Sequence, residues 1–291
     1  MTKLRDLLDV QPIDGFTQDK GQPSIFDTAT QSLVFVRSCT DNYNENYDEG
    51  CWSCWPIQSD MNQVTFEVWG GGGGGAGGCC CSWGFPGGAG AYAKKTLDNS
   101  GGAYNGECYT FCVAPPSCCS PVMSCGYKGC RSYVTGTGLS NFCAEGGVPG
   151  CALCFFFGCF PSSSCGTLWH PGYGTECACY FGADFGVAGH PGGLQADCCN
   201  AGNWCHYKSI HPLPPMPGRP NIAYEAIRAH CNLNASCDAC RIGGWGVSGA
   251  IGSSNNMVAI GIGGTTARRC GGSCCCGSNG GPGMLKITWS N

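Results

Sequence analysis

The most constraining feature of this sequence is a run of six consecutive glycines, Gly70–Gly75, directly after a segment with strand character. The preceding residues, Val64–Trp69, alternate and are rich in β-branched and aromatic side chains, which predicts a β-strand. An isolated glycine run is often a flexible linker. Here the run is followed by Cys79–Cys81 and then by strand-like Ala91–Leu97. Because a linker needs no staples at its border, this context predicts an ordered glycine segment.

An ordered segment without side chains must be held by its backbone. Glycine backbones can pack very close together and hydrogen-bond laterally as polyproline-II-like strands, which make no internal hydrogen bonds. Collagen is excluded, because glycine does not recur strictly at every third residue with proline. The expected fold class is all-β and irregular, with glycine-rich layered strands, polyproline-II-like segments and cysteine staples. One short helix is expected at Asn221–His230, with Asn221 as N-cap after Pro220.

Composition indicates that an apolar core alone will not stabilise the chain. Its 291 residues include 50 glycines and 29 cysteines, whereas ordinary glycine usage is about 7%. Each glycine adds backbone entropy that folding must overcome and brings no apolar side chain. We therefore expect cross-links, metals or association with other chains to supply the difference.

The chain divides by composition. Residues 1–60 are ordinary in composition, contain a predicted strand at Ser32–Arg37, and are expected to anchor the protein to a larger assembly. Residues 61–291 form the glycine- and cysteine-rich domain, with an insert at about 151–217 and a closing strand at Met284–Trp289. The order of glycine-rich segment, cysteine triplet and strand occurs near both ends of this domain, which indicates a weak pseudo-repeat.

Four segments carry a resemblance to a known family. Residues 64–78 (VTFEVWGGGGGGAGG) and 87–97 (GGAGAYAKKTL) resemble the glycine-rich domain of bacteriophage tail fibres and related virion proteins. Residues 133–147 (YVTGTGLSNFCAEGG) and the closing 280–289 (GGPGMLKITW) are similar to later parts of that domain. The resemblance is absent from residues 1–60, and the many cysteines and the insert depart from the family pattern.

The resemblance implies a non-enzymatic virion structural protein, a tail-fibre or other appendage component. Such proteins are trimeric or otherwise multimeric, and some bind the host. We therefore expect a homotrimer in the virion that contacts other virion proteins through residues 1–60, and a host-surface glycan or protein as a further partner. The alternatives are a capsid decoration or cement protein and, from another class, a metal or iron–sulfur cluster protein. Residues 1–10 lack an apolar signal segment, which suits a virion assembled in a reducing cytoplasm and released into oxidising surroundings.

The cysteine spacings leave disulfides and metal ligation both open. C-x-x-C pairs suit zinc, iron–sulfur clusters or redox chemistry. Adjacent cysteines in an extended chain point to opposite faces, which suits disulfide stapling of neighbouring layers. No cofactor is expected beyond a metal or iron–sulfur cluster held by cysteines. The candidates for disulfide or metal bonding are Cys51, Cys54, Cys79, Cys80, Cys81, Cys151, Cys154, Cys237, Cys240, Cys274, Cys275 and Cys276.

Several function classes are disfavoured. The net charge is −4 without a basic cluster, which argues against nucleic-acid binding. No stretch approaches the 18 or so apolar residues of a membrane span. The glycine run is not followed by the helix that a dinucleotide site requires, and motifs of phosphate-binding loops and hydrolases are missing. We expect no catalytic centre. Three histidines, including His190, precede proline and are expected in turns.

The insert and its surroundings are rich in aromatic residues. One interpretation is a receptor-contacting tip, since aromatic rings stack on sugars and anchor interfaces. The other is an apolar plug between protomers. The candidate receptor or interface residues are Phe155, Phe156, Phe157, Trp169, Tyr173 and Tyr180.

Overall fold

The computed structural model describes residues 24–27, 32–36, 51–77, 83–117, 124–153, 166–169, 178–197, 206–212, 224–229, 260–261, 263–264, 277 and 279–291. Every regular element in these segments is a β-strand, in agreement with the all-β expectation. The strands are β1 (Ser24–Asp27), β2 (Ser32–Val36), β3 (Cys51–Pro56), β4 (Gln63–Trp69), β5 (Trp83–Gly84), β6 (Tyr92–Asp98), β7 (Cys108–Cys112), β8 (Ser132–Gly136), β9 (Leu139–Ala144), β10 (Ala152–Leu153), β11 (Gly166–Trp169), β12 (Tyr180–Phe181), β13 (Phe185–Val187), β14 (Gly193–Asp197), β15 (His206–Pro212), β16 (Tyr224–Ala229) and β17 (Met284–Ser290).

The strands form antiparallel sheets. The largest has six strands in the order β1-β2-β17-β4-β6-β13, and the second has five in the order β12-β9-β8-β7-β3. A four-stranded sheet (β11-β14-β15-β16) and the β10-β5 pair complete the described part. Side chains from the six-stranded and five-stranded sheets share one hydrophobic core, so these two sheets form a sandwich.

Strand β4 shows why the sequence forms this sandwich. Its alternating residues Val64, Phe66 and Val68 are fully buried, because side chains two apart point to the same face of a strand. The structure confirms four predicted strands, and no bound differs by more than one residue. They are the strands predicted at Val64–Trp69, Ala91–Leu97, Ser32–Arg37 and Met284–Trp289. Burial of each large apolar side chain contributes about 1.5–3 kcal/mol.

Aromatic contacts join the two sheets across the core. The ring of Phe66 on β4 lies 5.2 Å from Tyr109 on β7 and 5.9 Å, edge-on, from Trp55 on β3. Phe35 on β2 and Phe111 on β7 have ring centroids 4.8 Å apart. Offset and edge-on aromatic pairs contribute about 0.5–1.5 kcal/mol beyond the area they bury. The core is therefore centred on aromatic rings from both sheets.

The pseudo-repeat of the sequence has a structural counterpart. Strands β6 and β17, which follow the two cysteine triplets along the chain, pair with β4 from its two sides. In this register Glu67 lies opposite Lys94 on one neighbour and Lys286 on the other. Opposite charges directly across strands favour one register. The repeated order of segments thus places two similar strands around a common one.

Strands from residues 1–60 belong to the same sandwich. Strand β2 pairs with β17, and β3 pairs with β7. Phe35 of β2 is 2% exposed and lies in the shared core. Anchoring by residues 1–60 stays a prediction. Three strands of that region nevertheless share sheets with residues from the rest of the chain.

The helix predicted at Asn221–His230 is wrong. Residues Tyr224–Ala229 form β16, which pairs with β15 along its whole length, from Tyr207 opposite Ala229 to Pro212 opposite Tyr224. A capping signal such as Pro220-Asn221 is a local preference, and pairing with a neighbouring strand overrides it.

Candidate functional site

The glycine run is an ordered segment that continues directly from β4. The amide of Gly70 donates to the Ala91 carbonyl at 2.9 Å, that of Gly73 to Gly88 at 2.9 Å, and that of Ala76 to Phe85 at 3.2 Å. As the donor advances by three residues, the acceptor moves back by three. A polyproline-II helix has three residues per turn, so residues 70–77 and 85–91 pair as antiparallel helices of this type.

The other two faces of the central segment have their own neighbours. Gly71, Gly74 and Gly77 donate to Cys130, Tyr127 and Ser124 at 3.0, 2.8 and 3.1 Å, again with a step of three. Gly72 donates to Gly281 at 2.8 Å. The first turn, Gly70–Gly72, therefore donates to three different segments, as expected for a helix with neighbours on three sides.

The same step of three recurs among the outer segments. Residues 85–91 donate to 145–151, and residues 124–130 also donate to 145–151. Residues 87 and 90 donate to residues 264 and 261. We call this assembly the glycine bundle; it comprises residues 70–77, 85–91, 113–117, 124–130, 145–151, 189–192, 260–261, 263–264, 277 and 279–283. The bonds that show this step between outer segments are Phe85 to Cys151, Gly88 to Val148, Ala91 to Glu145, Gly126 to Gly150, Gly129 to Gly147, Gly87 to Gly264 and Gly90 to Gly261.

Close backbone approach explains the glycine at the centre. A Cβ added to Gly73 would lie 1.9 Å from the Val148 carbonyl oxygen, and one added to Gly70 would lie 2.1 Å from that of Glu145. Real Cβ atoms essentially never come within 3.0 Å of another heavy atom. Since the obstacle is backbone, no rotamer change can relieve it. Positions 70 and 73, on the face toward residues 145–148, must therefore be glycine.

The segment that returns to β17 shows where an outer segment needs glycine. On the segment that returns to β17, Gly277, Gly280 and Gly283 recur at every third residue. A Cβ on each would lie 2.1, 2.2 and 2.4 Å from the carbonyl oxygens of Gly75, Gly72 and Trp69, respectively. The intervening positions include exposed Asn279 and buried Pro282. In this segment the step of three thus marks the face that lies against the centre.

Ser132 joins the bundle to the sandwich. Its side chain is fully buried, and its hydroxyl donates to the Trp69 carbonyl at 2.7 Å and accepts from the Ala114 amide at 2.9 Å. The amide of Gly283 donates to the Ala114 carbonyl at 2.9 Å. These residues are the points where β4, β8 and β17 meet the bundle. A buried hydroxyl with both roles satisfied fixes this junction.

A second buried polar pair lies on the outer face of β4 and β6. The Tyr92 hydroxyl donates to Glu67 Oε1 at 2.5 Å, and both side chains are buried. Burial raises the pKa of Tyr92 far above its usual value, and the hydrogen bond to Glu67 and its charge add to the effect. The protonated Tyr92 hydroxyl can donate to the Glu67 carboxylate, so this pair is a buried hydrogen bond between β4 and β6.

His190 corrects one expectation. Residues 189–192 form a segment of the bundle instead of a turn: the His190 carbonyl accepts from the Ala89 amide at 2.9 Å. Its ring is buried, and Nδ1 lies 2.8 Å from the Pro191 carbonyl oxygen. Burial lowers the pKa of His190, partly offset by the contact with Pro191. A neutral buried imidazole is a packing residue here.

Among the candidate cysteines, Cys54 forms a disulfide. Its partner is Cys108, with Cα atoms 4.5 Å apart, and the bond links β3 to β7 across 54 residues of sequence. Cys112 on β7 is also disulfide-bonded. Cys51 lies opposite Cys112 in the register of the two strands. The sequence analysis missed Cys108 and Cys112 as bonding residues. The signal in the sequence was their C-x-x-x-C spacing, taken together with the C-x-x-C spacing of Cys51 and Cys54.

Cys54 lies at an irregularity of the sheet. The pairing of β3 with β7 shifts register between Trp52 and Trp55, as in a β-bulge, and Cys54 has a φ of 63°. This left-handed conformation is uncommon for residues other than glycine. It redirects the strand so that Trp55 enters the core while Cys54 bonds to Cys108.

The remaining candidates are only partly described. Cys151 is half-buried, and its carbonyl accepts from the Phe85 amide at 2.8 Å. In the part of the chain that the structure describes, no three His, Cys, Asp or Glu side chains converge as a metal site would require. The candidates outside the described residues are Cys79, Cys80, Cys81, Cys154, Cys237, Cys240, Cys274, Cys275 and Cys276.

Two of the candidate aromatics fall on described strands. Tyr180 begins β12 at the edge of the five-stranded sheet and is 39% exposed, and Trp169 ends β11. Phe155, Phe156, Phe157 and Tyr173 lie outside the described residues. Phe181, the next residue, is also exposed, and the sequence analysis missed the exposed Phe185. Strand alternation alone does not reveal exposure at a sheet edge.

Comparisons with known proteins add no relatives: no protein-family model matches the chain, and no curated protein matches it. Within the described ranges, no helix is long and apolar enough to cross a membrane. The arrangement is a backbone-bonded bundle set on an apolar sandwich.

Proposed function

We propose that this chain is a non-enzymatic structural protein of a bacteriophage virion, a component of a tail fibre or another surface appendage. The observation that carries the proposal is the glycine bundle, which continues β4 and leads into β6 and β17. The resemblance to tail-fibre glycine-rich domains rests on these same segments. A bundle of this kind needs no ligand or reacting group, which supports a structural role.

The direction of the bundle segments supports a display role. Residues 70–77 run away from the sandwich, whereas 85–91, 124–130 and 279–283 return to it and enter β6, β8 and β17. The chain therefore passes from outgoing to returning segments at the end of the bundle that faces away from the sandwich. Rigid frameworks commonly carry binding residues on the connections at one end. In this proposal the far end faces the host surface.

The predicted anchoring role of the N-terminal region can be tested by truncation. Deleting residues 1–23 stops just before β1, so the sandwich keeps all its strands. In this proposal the truncated protein folds but fails to join particles, because anchoring lies in the N-terminal region. Circular dichroism checks folding, and electron microscopy checks incorporation. Normal incorporation of the truncated protein would place the anchor elsewhere.

Association with copies of itself is part of the proposal. Glycine segments bury little apolar area within one chain, and closed cyclic symmetry is the common solution for virion appendages and other homo-oligomers. We expect a homotrimer. Analytical ultracentrifugation of the full chain measures this, and a stable folded monomer would contradict it.

Mass spectrometry of purified virus particles tests the proposal most simply. The chain should be present in stoichiometric amount, and its absence would refute both the appendage and the capsid-decoration assignments. An absorption spectrum addresses the cluster alternative: a broad band in the visible range would favour iron–sulfur ligation by the cysteines. Disulfides alone would leave the visible range empty.

A further inference from the structure

One loop covers an edge of each main sheet. Residues 178–189 form β12, which is outermost in the five-stranded sheet, and β13, which is outermost in the six-stranded sheet. The two ends of the loop are joined, because Ala178 and Gly189 form an antiparallel bridge in which the Gly189 amide donates to the Ala178 carbonyl at 2.8 Å. Ala178 lies in the shared core. We call residues 178–189 the edge loop.

Asp184 fastens the tip of the edge loop to β6. Its Oδ1 accepts from Lys95 Nζ at 2.5 Å, and its Oδ2 accepts from the Thr96 amide at 2.9 Å. The Asp184 amide donates to the Lys94 carbonyl at 2.9 Å. Asp184 therefore occupies backbone groups at the edge of β6 with both its side chain and its own backbone. We call these bonds of Asp184 the clasp.

The edge loop also lies close against β9. The Glu145 amide, directly after β9, donates to the Cys179 carbonyl at 2.9 Å. Gly182 has a φ of 65°, and a Cβ there would lie 2.2 Å from the Ser140 carbonyl oxygen. A single substitution can therefore displace the loop from either sheet, at Asp184 on one side and at Gly182 on the other.

The clasp neutralises a charge at the border of the core. Lys95 lies opposite buried Phe66 in the strand register, so its side chain starts on the core-facing side of β6. It is the one charged residue on that side of β4, β6 and β17, strands whose residues the structure describes throughout. A charge beside an apolar core is costly without a counter-charge. The clasp therefore stabilises the closed loop, and opening the loop removes the counter-charge of Lys95.

Few bonds hold the edge loop shut. Strand β12 pairs over two residues and β13 over three, and most of the loop is exposed or half-buried. Segments with few buried contacts open locally at a lower free energy than core strands do. An open loop would leave β6 with unpaired amides and carbonyls, and such an edge is a template for pairing with another chain.

The sequence of β6 fits a two-fold pair with β6 of a second copy. The Thr96 amide and the Lys94 carbonyl point toward the edge loop, and the residues of an antiparallel strand direct both backbone groups to one side alternately. An antiparallel pair centred on Thr96 would place Lys94 of each copy opposite Asp98 of the other. Opposite charges directly across strands stabilise a pair, and a contact of this symmetry closes on itself.

We propose that the edge loop is a cover, closed by the clasp, that keeps β6 from pairing with β6 of a second copy. Opening at Asp184 frees the backbone groups of Lys94 and Thr96, which the pair requires. The inference goes beyond the proposed virion role and does not depend on it.

Sedimentation velocity and hydrogen exchange on the full chain test the cover. In Asp184→Ala the exchange protection of residues 178–189 should fall by about tenfold or more, since the loop loses bonds to a charged group, while β4 keeps its protection. The sedimenting species should double in mass as concentration rises. Asp60→Ala is the control, because it removes an exposed carboxylate in a turn outside the edge loop, and it should keep the mass of the wild type.

A glycine pair opens the loop from its other side. Gly182→Ala places a Cβ against the Ser140 carbonyl oxygen and should also double the mass. Gly106→Ala is the matched control, because Gly106 has a similar φ of 75° and nothing within 4 Å of the new atom. Adding Asp98→Lys to Asp184→Ala should restore the wild-type mass, since it sets like charges opposite each other at both ends of the two-fold pair.

Three results would overturn the proposal: an opened loop without any change in mass, a doubled mass that Asp98→Lys does not reverse, or full protection of the loop in Asp184→Ala. The second result would place the contact between copies at another surface. If a variant fails to fold, as judged by circular dichroism, exchange in the wild-type chain decides the matter. Amides of the edge loop must then open at a lower free energy than those of β4, and equal values refute the cover.

Discussion

The sandwich and the glycine bundle are built from the same stretches of chain but are held together in different ways. In the sandwich, side chains such as Phe66 and Tyr109 fill the space between two sheets. In the bundle, segments approach until backbone touches backbone, and hydrogen bonds such as Gly73 to Gly88 run between them. The sandwich therefore depends on what its side chains are, and the bundle depends on their absence.

This difference determines where stability comes from. A net contribution of about 1 kcal/mol is typical for an intramolecular hydrogen bond, and glycine adds no apolar burial to it. The sandwich gains from apolar burial, and Cys54–Cys108 ties two of its strands together. The bundle is attached to it at Ser132. We infer that the sandwich stabilises the junction at Ser132 and that this junction holds the near end of the bundle in order.

The largest effect is expected from one methyl group added to the bundle. Gly73→Ala places a Cβ 1.9 Å from the Val148 carbonyl oxygen, and only backbone displacement can relieve the overlap. We expect a loss of about 3–5 kcal/mol in the free energy of unfolding, at the severe end for single substitutions. Denaturant unfolding followed by circular dichroism measures it.

Two matched variants sharpen this result. Gly101→Ala adds the same methyl group in a turn with nothing within 4 Å of the new atom, and it should be neutral or slightly stabilising. Ile287→Val removes one methylene from the fully buried face of β17 and should cost about 0.5–1.5 kcal/mol. If Gly73→Ala and Gly101→Ala lowered the free energy of unfolding equally, the claim that the bundle depends on the absence of side chains would be wrong.

The next effect concerns the staple of the sandwich. Replacing both Cys54 and Cys108 by serine opens a loop of 54 residues, which should cost about 4 kcal/mol in the chain-entropy model. Cys125→Ser is the control, because Cys125 is an exposed free thiol in the bundle. Unfolding in guanidinium under oxidising conditions compares them. A double variant as stable as the wild type would show that the disulfide contributes nothing.

A smaller and gradual effect is expected in alkali. Burial, with smaller contributions from Tyr104 and Glu107, raises the pKa of Tyr109 to about 12, whereas an unfolded tyrosine ionises near pH 10. The folded state binds more protons between these values, so stability is retained below pH 10 and falls as pH rises toward 12. Unfolding free energies across this range measure the loss. Tyr109→Phe should reduce the slope, and an unchanged slope would exclude Tyr109 as its cause.

The two regions also differ in how far the sequence predicted them. Alternation revealed β4 and β17, and the placement of Gly70–Gly75 between strands predicted ordered polyproline-II-like packing. The neighbours of each segment were not predictable, because a glycine backbone carries no side-chain pattern that specifies a partner. The step of three at Gly277, Gly280 and Gly283 was present in the sequence and indicates a face, but not the segment it meets.

Long-range pairing accounts for the other misses. The bond from Cys54 to Cys108 depends on which strands are adjacent, and 29 cysteines allow very many connectivities. The segment Tyr224–Ala229 has local helix signals but becomes a strand beside β15. The exposure of Phe181 and Phe185 follows from their position on edge strands, which only the sheet order reveals.

Hydrogen exchange at the glycine run tests the central claim most directly. The amides of Gly70, Gly71, Gly72, Gly73 and Gly74 all donate to carbonyls of neighbouring segments, so NMR should find them protected to a degree similar to the amides of β4. A protected amide exchanges only when the bundle opens. Exchange of these five amides at the rate of an unstructured peptide would instead identify residues 70–77 as a flexible linker and contradict the account.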